Sequence, residues 1–157
     1  MKIFQSLWKT LLCCGWLLFW LSLLLPMNTS LGGLTDAGKP YYGFLNLYYS
    51  IISIVILPML IFDYQGASFA LYTFLKAGLG ICNLLMMFGI PILLFTNRVN
   101  KFARLVGVSC AVYVCIIGTI DSWHFYPIRY GHYVWCLSFV IMAFALTQKV
   151  NNKDALS

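Results

Sequence analysis

Five apolar stretches divide this 157-residue chain, at about 7–26, 43–62, 77–96, 104–121 and 130–148. Each approaches the roughly 20 residues that a helix needs to cross a hydrocarbon core of ~30 Å. Such runs leave little room for the charged surface of a water-soluble domain. Charged residues make up 9% of the chain, ten Lys or Arg and four Asp with no Glu, where a soluble fold carries about a quarter. Disorder is excluded as well, because 17% of the residues are Phe, Trp or Tyr and disordered chains are poor in aromatics. The expected class is an all-α integral membrane protein, with residues 1–157 forming a single transmembrane domain. The net charge of +6 does not indicate nucleic-acid binding. A nucleic-acid binder gathers its basic residues on one solvated face, and here they lie singly or in short groups between apolar stretches.

The positions of those basic residues bear on how many stretches cross. Five crossings with the N-terminus inside would leave only Lys2, Lys9, Lys76 and Arg129 in the cytoplasm, against the positive-inside bias. Starting outside reverses the count to six inside and four outside. Four crossings with the N-terminus inside place Lys2, Lys9, Arg98, Lys101, Arg104, Lys149 and Lys153 together in the cytoplasm, which fits best. The expected fold is therefore a four-helix membrane bundle with an additional apolar helical segment, re-entrant or interfacial, between the first and second crossings. Within that segment Pro58 interrupts the apolar run and Asp63-Tyr64-Gln65-Gly66 reads as a short polar turn. Five crossings stay open as the alternative. Residues 149–157 then form a cytoplasmic tail, and the expected site is the cell inner (plasma) membrane. The first stretch reads as a retained anchor, since bulky Trp8, Trp16 and Trp20 and the lack of a small-residue cleavage pattern argue against a signal peptide.

Few residues offer chemistry. A thiol oxidase needs a cysteine pair in an accessible loop; Cys13 and Cys14 adjoin in the first stretch, and Cys82, Cys110, Cys115 and Cys136 lie in later ones. Their expected role is packing. Two histidines, His124 and His132, are too few for haem or zinc without further ligands, so no metal and no cofactor are expected. Lys76, Asp63 and Asp121 are ionisable residues near the limits of apolar stretches, where burial costs several kcal/mol unless water or a partner reaches them. Asp121, Trp123, His124, Arg129 and His132 form a candidate polar and aromatic site on the outer face. They sit in a loop rich in aromatic residues, read either as an interfacial belt or as a binding surface. Asn28-Thr29-Ser30 matches a glycosylation acceptor, a pattern too short to weigh without a secretory context.

Ala103, Gly107, Ala111, Cys115 and Thr119 recur every four residues along the fourth stretch. A face of small residues lets helix backbones approach closely in lipid. It serves packing within the bundle or docking onto another membrane protein. Gly66, Ala70, Gly78 and Cys82 make a broken version, with Phe74 intruding.

Three stretches carry a resemblance: Leu21-Ser22-Leu23-Leu24-Leu25-Pro26, Cys82-Asn83-Leu84-Leu85, and Tyr130-Gly131-His132-Tyr133-Val134-Trp135-Cys136-Leu137-Ser138-Phe139. The last is similar to a recurring G-Y-x-x-W-x-x-S pattern, with His132 in place of its first Tyr. In these the chain resembles a loose group of small four-span bacterial inner-membrane proteins with no assigned activity. The resemblance implies four spans and a bacterial inner membrane, and supplies no substrate. The expected function is that of a non-enzymatic interaction or accessory protein, with the lipid bilayer and a membrane-protein partner or further copies of the chain as its contacts. A small oligomeric transporter or channel is the alternative, and an immunity protein against a pore-forming toxin a second one.

Overall fold

The computed structural model describes residues 2–29, 40–62, 67–97, 99–125 and 130–154, with side chains described over 7–26, 42–58, 71–97, 99–120 and 130–149. Helix α1 (Lys2–Leu24) leads into a short ribbon of strands β1 (Pro26–Thr29) and β2 (Pro40–Tyr42). Helices α2 (Gly43–Phe62) and α3 (Ala67–Leu84) follow, then a wide π-helical turn (Leu85–Gly89) that continues into α4 (Ile90–Thr96). Helices α5 (Lys101–Phe125) and α6 (Tyr130–Asp154) complete the chain. Four helical runs among the described residues are long and apolar enough to cross a membrane: Leu7–Leu24, Leu71–Thr96, Lys101–Ile120 and Tyr130–Lys149. The apolar helix Gly43–Pro58 is shorter.

The limits differ from those of the apolar stretches. The third helix begins at Ala67 rather than Ala77, because nothing between Gly66 and Pro91 breaks it and Ala, Leu and Lys favour it. The ribbon is an addition to the all-α expectation. Pro26 and Pro40 withhold the N–H a helix interior needs, and the two strands pair Pro26 with Tyr42, Asn28 with Tyr41 and Thr29 with Pro40 in antiparallel register; Pro58, expected to interrupt the second apolar stretch, instead lies inside α2. The Gly43 N–H then donates to the Leu25 carbonyl at 3.1 Å, so α2 starts beside the end of α1.

Helices α1 and α6 lie antiparallel along their length. A Cβ at Gly131 would meet the Pro26 carbonyl, and one at Gly15 would stand 3.1 Å from the Ser138 carbonyl. At the other end the Lys149 ammonium lies 4.8 Å from the Trp8 ring centroid. Trp8, Leu12, Phe19 and Leu23 form the buried stripe of α1, spaced as one helical face requires. It meets Trp135, Phe139, Met142 and Leu146 of α6 in one core, where Phe19 and Phe139 pack edge to face at 6.1 Å. Helix α5 packs antiparallel on α6, with Gly107 against Leu146 and Gly118 against Trp135.

The π-helical turn has a cause at Pro91. Proline has no N–H to give the carbonyl four residues back, which is that of Met87. That carbonyl instead accepts the Trp16 indole N–H from α1 at 3.4 Å. Asn97 ends α4 in the left-handed conformation (φ 54°), its N–H bonding the Leu93 carbonyl, and Asn100 caps α5 through the Ala103 N–H at 2.8 Å.

Candidate functional site

Helix α2 meets α3 along a polar seam. Thr73, Lys76, Gly80 and Asn83 recur at three- and four-residue steps and so share one face of α3. Asn46 and Ser50 share a face of α2. Gly80 sets the distance between the two backbones: a Cβ there would run into the Ser50 carbonyl. Ser50, Thr73, Lys76 and Asn83 are all buried.

Each polar atom in such a place needs a partner, because burying an unbonded amide or hydroxyl costs a few kcal/mol. The seam meets that requirement by linking three helices. The Trp135 indole N–H of α6 donates to Asn83 Oδ1 at 3.0 Å. Asn83 Nδ2 donates to Ser50 Oγ at 3.4 Å, and Ser50 Oγ donates to the Leu47 carbonyl at 2.8 Å. Lys76 Nζ donates to Asn46 Oδ1 at 3.4 Å and lies 5.6 Å from the Tyr72 ring centroid, within cation–π range. On α5, the Tyr113 hydroxyl donates to the Leu75 carbonyl at 3.1 Å, its ring lying over Gly78. The arrangement holds a positive charge inside a helical bundle and joins α2, α3 and α6 by side-chain hydrogen bonds.

Of the outer-face candidates, the structure describes the side chain of His132. It is buried, 2% exposed, with its ring 5.7 Å from that of Trp135 and Nε2 at 3.5 Å from Cys136 Sγ. Asp121, Trp123 and His124 belong to the last turn of α5, but their side chains lie outside the described residues, as do Asp63 and Arg129. Lys76, expected near an interface, is only 8% exposed.

The small-residue face of α5 is shared out rather than used whole. Gly107 and Ala111 are buried, whereas Ala103 and Cys115 are half-buried and Thr119 is exposed, bonding the Cys115 carbonyl of its own helix. A four-residue repeat outruns the 3.6-residue turn, so Ala103 and Thr119 stand roughly 160° apart around the axis. The buried face runs through Gly107, Cys110, Ala111, Val114 and Gly118. In α3, Gly78 meets Tyr113 of α5 and Cys82 lies against Cys110, while Phe74 points outward. Gly66 and the Ala70 side chain lie outside the described residues. Cys115 and Cys136 form a second thiol pair, between α5 and α6.

Asn46 and Ser50 were missed by motif reasoning, and Asn83 and Trp135 entered it only through the resemblance, with no site role. Asn46 and Asn83 nevertheless carry a signal, as asparagines set inside apolar stretches, where an amide demands a partner. No protein-family model, curated protein or solved structure matches the chain. The likeness to small four-span bacterial membrane proteins therefore rests on its three sequence stretches alone.

Proposed function

We propose that this chain is a multi-pass protein of the cell inner (plasma) membrane, with four crossings and both termini cytoplasmic, and that it works by contact with another membrane protein rather than by catalysis. The outward-facing apolar surface supports membrane insertion. Only 28–50% of each candidate span is buried within the chain, and side chains such as Phe88, Phe102, Ile116 and Phe144 are more than half exposed. In water that much exposed apolar surface would be far beyond what a soluble monomer carries. Seven of the ten basic residues then fall on one side.

One observation carries the contact reading. The polar residues of the seam are spent on fixing α2 and α3 to each other and to α6, and the far sides of this pair present Tyr48, Tyr49, Val55, Leu71 and Phe74, each more than half exposed. Helix α2 packs chiefly on α3, so it offers a broad, rigidly held face beside the bundle. Photo-crosslinking amino acids at Tyr49, Val55 and Phe74 in intact cells test this, with Ile116 and Phe144 as controls. Discrete higher-mass protein adducts are expected from the first three positions and not from the controls. A band at twice the protomer mass would make the partner a second copy. Lipid adducts alone at all five positions would overturn the reading.

Lys76 supports a second reading, a small oligomeric transporter, because an ionisable residue buried in a span marks ion and proton pathways by default. Ion flux from reconstituted protein, abolished in Lys76→Met, would decide for it; no flux from the unaltered protein decides against it.

A further inference from the structure

A groove of about 230 Å³ opens between α4, α5 and α6, and its walls are almost entirely carbon. It runs from Leu93, Phe102 and Leu146 at the α4–α5 turn to Cys82, Cys110 and Phe139 near the middle of the bundle. From Phe102 to Cys110 is about 12 Å along the helix axis. The wide π-helical turn forms part of one wall, and a Cβ at Gly89 meets nothing within 4 Å. Ile92 and Phe102 on the rim are well exposed, 59% and 70%, so the groove communicates with the outside of the bundle.

Basic residues stand one turn beyond the end of the groove. The α5–α6 register set by Gly107 with Leu146 and Gly118 with Trp135, extended one turn, brings Arg104 opposite Lys149. Arg104 continues the α6-facing side of α5, and Lys149 continues the face of α6 that carries Met142 and Leu146. Both are half-buried. Lys9 stands at the same end, its ammonium 5.8 Å from the Trp8 ring centroid. Between Asp63 and Asp121 the sequence holds no acidic residue, and Asp154 is the one acidic residue after Asp121. Basic residues one turn beyond the end of a carbon-lined groove fit an anion that carries a hydrocarbon chain.

We infer that this groove holds one acyl chain of an anionic phospholipid, with the phosphate at Arg104 and Lys149. The site rests on the membrane reading above. Apolar surface in the groove recognises the chain, and the basic end selects the headgroup by charge.

The test is native mass spectrometry of the full chain purified in mild detergent and mixed with equal amounts of palmitoyl-oleoyl phosphatidylglycerol and palmitoyl-oleoyl phosphatidylcholine. One phosphatidylglycerol is expected to be retained, at least fivefold over phosphatidylcholine. The double substitution Arg104→Gln/Lys149→Gln should bring phosphatidylglycerol down to the phosphatidylcholine level. Gly89→Phe, which turns a ring into open space, should remove the retained lipid; Ala103→Phe on the opposite wall serves if that variant loses its helical circular dichroism. Equal retention of the two lipids by the unaltered protein would overturn the site. So would undiminished phosphatidylglycerol in a folded groove-filled variant. Recovery of the chain from the soluble fraction of cells without detergent would instead overturn the membrane reading itself.

Discussion

Asn83 stands inside an apolar helix and uses both ends of its amide, taking the Trp135 N–H and giving its own to Ser50. Side-chain hydrogen bonds between membrane helices contribute about 0.6–2 kcal/mol each. Asn83→Leu leaves the Trp135 N–H buried without its acceptor, and we expect a loss of about that size in denaturant-resolved stability in detergent. Trp135→Phe alone removes the donor. Combining the two should cost less than the sum of the single losses, because the second change no longer orphans anything; strict additivity would show that the bond contributes nothing. Lys76 invites a companion measurement. Asn46→Leu removes an acceptor from a buried ammonium, whereas Lys76→Met removes the charge and keeps much of the side-chain volume. Breaking a buried polar contact from one side costs more than replacing the charge, so the thermal midpoint should fall further in Asn46→Leu. Lys76 stood out as an ionisable residue of an apolar stretch, but neither it nor Asn46 named its partner, since a single Lys or Asn in an apolar run has none until the fold supplies it.

At the scale of elements, the π-helical turn depends on a contact between helices. Pro91 withholds an N–H from Met87, and Trp16 from α1 uses the released carbonyl. Pro91→Ala restores the N–H, which competes for that carbonyl within the helix. Trp16→Phe should therefore destabilise the unaltered protein, by about 1 kcal/mol as for an ordinary hydrogen bond, and be nearly neutral in the Pro91→Ala background. Gly80 plays a different part, as the point where the α2 and α3 backbones meet. Gly80→Leu forces the two apart, and a cysteine at Ser50, buried in the native fold, should become reactive to a membrane-permeant maleimide; unchanged protection would contradict the tight seam. Pro26 and Pro40 marked the end of α1 and the approach to α2, whereas Pro58 lies inside α2, and the apolar stretches found every described helix. Their ends were less legible: α3 begins well before its apolar run because helix formation needs no apolar face there, only the absence of a breaker.

For the whole molecule, the arrangement follows from which helices can pair closely. Antiparallel α1 on α6 and α6 on α5 bring three crossing-length helices together through Gly15, Gly107 and Gly118, and the run from α3 to α4 closes the bundle through Trp16 and Tyr113. The topology proposed for it is testable with reporter fusions. A periplasmic-active reporter joined after Lys39 and a cytoplasmic-active one joined after Ser157 should both function; a cytoplasmic signal after Lys39 would favour five crossings with the N-terminus outside, and a periplasmic signal after Ser157 five crossings with it inside. By itself the sequence determined the helical class, the approximate helices and the distribution of basic residues, because those depend on local hydropathy and on charge positions that any fold inherits. Only the tertiary structure decided that His132 and Lys76 are buried, that Asn83 joins three helices, and that the small-residue stripe of α5 is divided between neighbours. Each of those depends on the rotation of one helix against another, which is fixed by contacts between residues distant in sequence. The fourteen charges bear on the topology proposed for the chain, and the packing of uncharged faces settles what lies inside.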